Sequence, residues 1–379
     1  MKMLWVLAGL VGAGTVLGQS EQWLAYQTSS QGRAYQMLQV ESNAPPGVAL
    51  PRLHAHPLFA HWMTPMDASG GRWLCLDRTH PSGLYDRLYI DANGNGRLDD
   101  ETPVKGRIDF SSAFFPPTPL IFKGSDGPIT YHILFRFYQF DNGRSELLAS
   151  SAGWYEGLVN FGGVKKHIQL IDGNVNGAFN DIAPNFRQSD VIAIDGDNAG
   201  QRYLGRMIEV DGKLFRIEVS KDGAFVKVQK AEDVTLGTVR VPSDISEFTA
   251  YGENGYFIRK PVNGQFSLPA GQYRMFRWTI QRKDSRSVPW TLSGYNFPDS
   301  ANFEVSADKA ASLEIGEPIR ALLTSANTSG RQIAFSLRFQ GQQKEPVEML
   351  RNGQRPAGPK LSLVDDRGAL AATRSFQFG

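Results

Sequence analysis

Short apolar runs, broken every few positions by Gly, Pro, Asn or Asp, set the limits on how this chain can fold. Runs of that length suit strands, and the breakers between them suit tight turns. No stretch repeats apolar residues at i, i+3, i+4 and i+7 between helix caps, so helices are not expected. Strands are read at Arg87–Ile90, Ile129–Tyr138 and His167–Ile171. Met207–Val210 and Lys213–Val219 flank Asp211-Gly212, the dipeptide favoured in two-residue hairpin turns. A second hairpin is read at Asp222-Gly223, between Ile217–Val219 and Phe225–Val228. The expected class is all-β.

The texture changes near residue 235. Up to that point the chain reads as one β-rich region, 19–235, with a sub-boundary near 145. From 236 to 379 come short strands at fairly even spacing, such as Gly255–Ile258, Gln265–Leu268 and Tyr273–Ile280. Gly, Pro and Asn separate them, as in a β-sandwich of immunoglobulin or fibronectin-III type. Residues 1–18 read as a signal peptide: Lys2 is a short basic start, Met3–Val11 an apolar core, and Val16-Leu17-Gly18 a small-residue cleavage site. A secreted or periplasmic location follows as an expectation. No later segment is long and apolar enough to be read as an integral membrane span.

With one cysteine, Cys75, the chain cannot form an intramolecular disulfide, so packing or bound metal must hold it. Cys75 falls in the strand-like Trp73-Leu74-Cys75-Leu76 and is read as a buried structural thiol. Basic and acidic residues nearly balance, 40 against 38, with no basic stripe, which argues against a nucleic-acid partner.

The informative motif is a ten-residue pattern that occurs twice. The first copy is Asp91-Ala-Asn93-Gly-Asn95-Gly96-Arg97-Leu98-Asp99-Asp100; the second is Asp172-Gly-Asn174-Val-Asn176-Gly177-Ala178-Phe179-Asn180-Asp181. They align without a gap, each follows a strand, and each is followed at the same distance by a proline, Pro103 or Pro184. Calcium takes about six to eight oxygen ligands at about 2.3–2.6 Å, and a tight loop offers them at alternate positions 1, 3 and 5. The position-7 carbonyl, here of Arg97 or Ala178, adds one more. The sharp turn at position 6 calls for Gly96 and Gly177. Leu98 and Phe179, at position 8, would anchor the loops in the core.

These loops resemble the EF-hand calcium loop and its relatives in dockerins. The resemblance covers about a dozen residues per copy and implies Ca2+ as the cofactor. It assigns ligand roles to Asp91, Asn93, Asn95, the Arg97 carbonyl and Asp99, and to Asp172, Asn174, Asn176, the Ala178 carbonyl and Asn180. Two features depart from the family: the flanks are strands, and position 12 holds Thr102 and Ala183 in place of an acid. Asp100, Glu101 and Asp181 are the substitutes in reach, or an acid from elsewhere such as Asp190 or Asp195. Asp195 and Asp197 also begin a partial third copy, with Gly200 at position 6 but Ala199 at position 5. The string of such loops, the Ile194-Asp195-Gly196-Asp197 segment and the terminal Ser375-Phe-Gln-Phe-Gly379 resemble secreted bacterial β-proteins of no known activity.

Other chemistry is thinner. His54, His56 and His61, with Asp67 near, form the one histidine cluster and would suit a zinc hydrolase if His54 and His56 lay on one face of a strand. Asp99-Asp100-Glu101 could do glycosidase-type acid–base work. Trp62, Trp73, Trp154, Trp278 and Trp290 could stack on sugars, although core packing is the ordinary role of such rings. No nucleophile elbow and no phosphate-binding glycine loop occur, so no catalytic residue is assigned. The sequence therefore reads as a secreted calcium-binding structural or adhesion protein with an extracellular glycan or protein as partner. The alternatives are a carbohydrate-binding or carbohydrate-cleaving protein and the zinc hydrolase.

Overall fold

The computed structural model describes residues 19–54, 56–80, 83–140, 143–195, 200–327 and 333–376. Residues 1–18, the expected signal peptide, and Asp197 lie outside them. The protein is all-β, and the one helical turn among the described residues is a 3-10 turn at Phe186–Gln188. No helix among the described residues is long and apolar enough to cross a membrane.

The chain forms two compact units. The first ends at Glu232 and omits only 182–186, which belong with 233–379 in the second. In the first unit, with strands numbered in chain order, every sheet is antiparallel. One sheet runs β3 (Tyr35–Leu38), β11 (Ser145–Ser151), β10 (Pro128–Gln139), β9 (Ser112–Lys123), β8 (Arg107–Asp109). Residue 145 thus starts a strand paired with its predecessor, and no sub-boundary falls there. A second sheet runs β15 (Gln201–Tyr203), β14 (Val191–Ile194), β13 (Val164–Ile171), β12 (Gly153–Phe161), β2 (Ala25–Thr28). A third holds β4 (Leu58–Met63), β5 (Gly71–Asp77), β6 (Arg87–Ile90) and β7 (Val104–Lys105). The fourth is β1 (Gln19–Trp23), β18 (Phe225–Lys230), β17 (Lys213–Val219), β16 (Met207–Val210).

Period-2 patterning explains these strands. Along β10, Tyr131, Ile133, Phe135 and Phe137 are buried while the residues between them are less so. Each fully buried ring of this kind contributes about 1.5–3 kcal/mol. Asp211 and Gly212 take φ of 49° and 75°, the left-handed pair a two-residue hairpin needs, and join β16 to β17. β9 carries Pro116, Pro117 and Pro119, which cannot donate to a ladder. They are tolerated because β8 pairs only with Ser112–Phe114 and leaves the proline stretch an open edge.

The second unit contains a three-stranded sheet, β22 (Gln265–Pro269), β19 (Leu236–Arg240), β26 (Ala311–Ser312). Its larger sheet runs β21 (Gly255–Arg259), β20 (Ile245–Gly252), β23 (Gly271–Lys283), β24 (Pro289–Tyr295), β29 (Val347–Arg351), with β25 (Asn302–Val305) also on β23. Phe248 of β20 and Phe266 of β22 join the two sheets at a ring separation of 5.3 Å, a sandwich-like core. Two ribbons complete the unit: β27 (Arg320–Asn327) with β28 (Ile333–Gln340), and β30 (Lys360–Val364) with β31 (Leu370–Ser375).

Candidate metal centre

The repeated motifs form the loops that leave β6 and β13, and both fold on one hydrogen-bond plan. The position-5 N–H is shared between the carboxylate of position 1 and the amide oxygen of position 3. In the first loop Asn95 N donates to Asp91 Oδ1 and Asn93 Oδ1, each at 3.0 Å. In the second, Asn176 N donates to Asp172 Oδ1 (3.2 Å) and Asn174 Oδ1 (3.1 Å). The position-6 glycine donates to the other carboxylate oxygen, Gly96 at 2.9 Å and Gly177 at 2.7 Å. Position 5 then accepts from position 7: Arg97 N to Asn95 Oδ1 (2.8 Å) and Ala178 N to Asn176 Oδ1 (2.9 Å). Its amide nitrogen bonds the position-10 acid, Asp100 at 2.7 Å and Asp181 at 2.8 Å. Gly96 and Gly177 have φ of 78° and 90°, where an L side chain is strained. Each carboxylate or amide oxygen keeps a lone pair beyond the N–H it accepts.

Leu98 and Phe179 are buried, as position 8 requires. Leu98 joins Phe59, Cys75 and Tyr89 in one apolar cluster. Phe179 stands edge-on to Tyr155 (5.1 Å) and Tyr131 (6.1 Å).

The acid absent from position 12 has a different replacement in each loop. Glu101 Oε1 accepts the position-2 N–H of Ala92 at 2.8 Å in the first loop. In the second, Asp190 Oδ1 accepts the corresponding N–H of Gly173 at 3.0 Å, and Asp190 Oδ2 takes Asp181 N at 2.7 Å. Asp195 does not take part. It lies past the far end of β14 beside His167 (3.6 Å), with its side chain 75% exposed. Four residues of strand, about 13 Å, separate that end from Asp172. Asp99 pairs with Arg97 at 2.7 Å, and Asn180 is exposed at the loop end.

The environments of the loops differ. In the first, the buried Arg72 guanidinium sits against the loop base, donating to the carbonyls of Ala92 (2.6 Å) and Asp91 (3.2 Å) while Asp67 holds its charge (2.6 Å). Burial raises the Glu101 carboxyl above its ordinary range, with Asp100 and Asp91 adding to the effect. The second loop is enclosed. Trp62 Nε1 (2.6 Å) and Gln36 Nε2 (2.7 Å) both donate to the Val175 carbonyl, and Tyr131 OH donates to Asp172 Oδ2 (2.8 Å).

Asp172 and Asp190 are both buried in this second loop, with Asp181 beside them. Burial pushes the Asp172 carboxyl up to about 7. Asp190 is also raised, first by burial and then by the charges of Asp172 and Asp181. Among the described residues no Lys, Arg or His pairs with any of the three acids. Ala178 is 1% exposed, and among the described residues its carbonyl accepts no hydrogen bond. Two buried acids with a half-buried third beside them, and a buried carbonyl without a donor, are the surroundings a hard cation satisfies. Among the described residues no three His, Cys, Asp or Glu side chains converge as a metal-binding group by themselves. An ion here would therefore draw on the Asn and main-chain oxygens as well.

The histidines that the sequence grouped for zinc are held apart. His54 Nδ1 lies 3.4 Å from Asp77, whereas His61 packs at a tilt against Trp73 at 4.6 Å, about 13 Å away along β5. His56 has φ of 60°, so the segment is not extended and the two rings of His-x-His do not share a strand face. The acids of Asp99-Asp100-Glu101 are engaged inside the loop. The tryptophans form no common platform: Trp62 and Trp278 are buried, and Trp154 lies under Arg33 at 3.9 Å. Arg72, Trp62 and Tyr131 come from distant strands, and nothing in the motif marks them.

Compared with family models, curated proteins and solved structures, the chain gives no match. The likeness of the loops to calcium loops stands on their own residues and geometry.

Proposed function

We propose that this chain is an exported calcium-binding structural or adhesion protein, in which calcium orders the loops Asp91–Asp100 and Asp172–Asp181. The observation that carries the reading is the enclosed second loop, where Asp172, Asp181 and Asp190 lack a basic partner among the described residues and the Ala178 carbonyl lacks a donor. The residues that would hold the ion there are Asp172, Asn174, Asn176, the Ala178 carbonyl and Asp181, with Asp190 as the nearby acid. The first loop offers Asp91, Asn93, Asn95, the Arg97 carbonyl and Asp100. Calcium would supply positive charge to these oxygen-rich loops, above all to the second, whose acids have no basic partner among the described residues, and so act as a clip on a β scaffold. The sequence's signal segment supports export, and the sandwich-like second unit suits a spacer or adhesion module.

Loops with this few carboxylates belong to the weak extracellular class, with Kd on the order of 10⁻⁴–10⁻³ M. Equilibrium dialysis with calcium, comparing the natural chain with the double variant Asp91→Ala, Asp172→Ala, tests the reading. Saturable uptake lost in the variant is expected; equal uptake by both proteins rejects it.

A further inference from the structure

The second unit holds a cavity of about 720 Å³, within the size range of small-molecule sites. Its walls come from β24, β28, the start of β29, the stretch 355–359 and Phe376. Main-chain hydrogen bonds already tie these walls together. Gln340 bridges Pro346, and Asn352 N donates to Pro289 O at 2.8 Å. Arg351 N donates to Gln354 O at 2.8 Å, and Phe376 N to Pro359 O at 2.9 Å. The cavity is thus preformed, and what it offers a guest is its side chains.

Five aromatic residues line it: Trp290, Tyr295, Phe335, Phe339 and Phe376. Four are half-buried, and Tyr295 is exposed. Core rings of this protein pair with one another, as Phe248 does with Phe266 at 5.3 Å. Among the described residues none of the five cavity rings packs against another ring or a cation. Trp290 is held by its edge, where Nε1 donates to Asp284 Oδ2 at 3.1 Å, so the indole faces stay uncommitted.

Charge in the lining is lopsided. Its one acid, Glu348, is already engaged by Arg355 at 3.2 Å. Arg338 also lines the cavity, is exposed, and has no carboxylate partner among the described residues. A guanidinium stays charged at any ordinary pH and suits a carboxylate through two parallel N–H donors.

From these features we propose that the cavity binds a small aromatic carboxylate, its ring system packed among the five aromatic side chains and its carboxylate held by Arg338. Uncommitted rings gain from a further flat π-system laid offset or edge-on, and the carboxylate gains charge-assisted hydrogen bonds at the wall. A neutral aromatic of the same shape keeps the first contribution and loses the second. The site lies wholly in the second unit and does not depend on the calcium reading.

Equilibrium dialysis of the full chain against naphthoate, followed by the ligand's own fluorescence, tests this. Saturable uptake at one site per chain is expected. Naphthalene carboxamide, the neutral analogue, should bind about tenfold more weakly. Arg338→Glu should weaken naphthoate by about tenfold or more and leave the carboxamide unchanged. Ser336→Trp adds a bulky ring to the lining at an exposed strand position, and should block both ligands without moving thermal unfolding. Equal affinity for the two ligands, naphthoate uptake unaltered by either substitution, or no saturable uptake would each overturn the proposal.

Discussion

Removing calcium and raising the pH should destabilise the first unit, and the size of the effect follows from Asp172. Its carboxyl titrates at about 7 in the folded chain against an ordinary 3.8, because burial penalises the charged form more than its hydrogen bonds favour it. Between those values the folded protein keeps a proton that the unfolded chain has released, so stability falls as pH rises. Every tenfold difference in proton affinity between the folded and unfolded chain is worth about 1.4 kcal/mol, giving a loss on the order of 4 kcal/mol that is complete just above pH 7. Asp190 is displaced in the same direction and extends the decline upward. On the proposed reading calcium would oppose it by binding the ionised acids; at a hundredfold excess over Kd it would restore about 2.7 kcal/mol. For a unit of this size, about 2–4 °C accompanies each kcal/mol. Calorimetry in chelator should therefore show the first unit's transition dropping by about 10 °C between pH 5 and pH 8, and calcium at pH 8 should recover more than half. Asp172→Asn should flatten both dependences and identifies which transition belongs to that unit. A natural protein whose transition in chelator is level or rises across this range, matching the variant, would refute the reasoning.

Further expectations can be checked by denaturant unfolding and chemical labelling. Trp62→Phe removes a buried 2.6 Å donor to Val175 and should cost about 1–3 kcal/mol while weakening calcium uptake at the second loop. Arg72→Met strips a buried cation from Asp67 and from the carbonyls of Asp91, Ala92 and Ile121, and should cost about 3–5 kcal/mol. Cys75 is fully buried and its thiol is pushed up to about 12, so a thiol reagent at pH 8 should label the protein only after unfolding.

What the sequence discloses follows from where burial is one-sided. β10 and the hairpin at Asp211-Gly212 are legible because one face is apolar or because the turn demands left-handed residues. Ile245–Gly252 of β20 escapes that reading: nearly every residue is buried, so a two-residue period is missing. In β9 the prolines hide a strand that survives only because its neighbour stops at Phe114. The ten-residue loops could be read because their geometry is local, made of turns in which a side-chain oxygen accepts the N–H two residues on. Their surroundings could not, since Trp62, Tyr131 and Arg72 reach them across sheets. His54 and His56 illustrate the converse: the alternation expected of a strand fails in a segment whose backbone takes a positive φ.

Two copies of one motif have reached different electrostatic solutions, and this divides their roles. The first loop rests on Arg72, a cation supplied by the chain, and its tip from Asn93 to Arg97 is exposed, so water can solvate whatever charge remains. The second has neither aid: Asp172 and Val175 are 0% exposed, and two acids stand beside Asp172 without a base among the described residues. An external cation has more to neutralise there. Calcium dependence of stability should therefore concentrate in the second loop. Asp172→Asn should abolish most of the calcium-induced rise in melting temperature at pH 8, whereas Asp91→Asn, although it lowers stability by loosening its own turn, should leave most of that rise intact. If Asp91→Asn removes the larger share, the chain's own arginine does not substitute for the ion, and the asymmetry argued from burial is wrong.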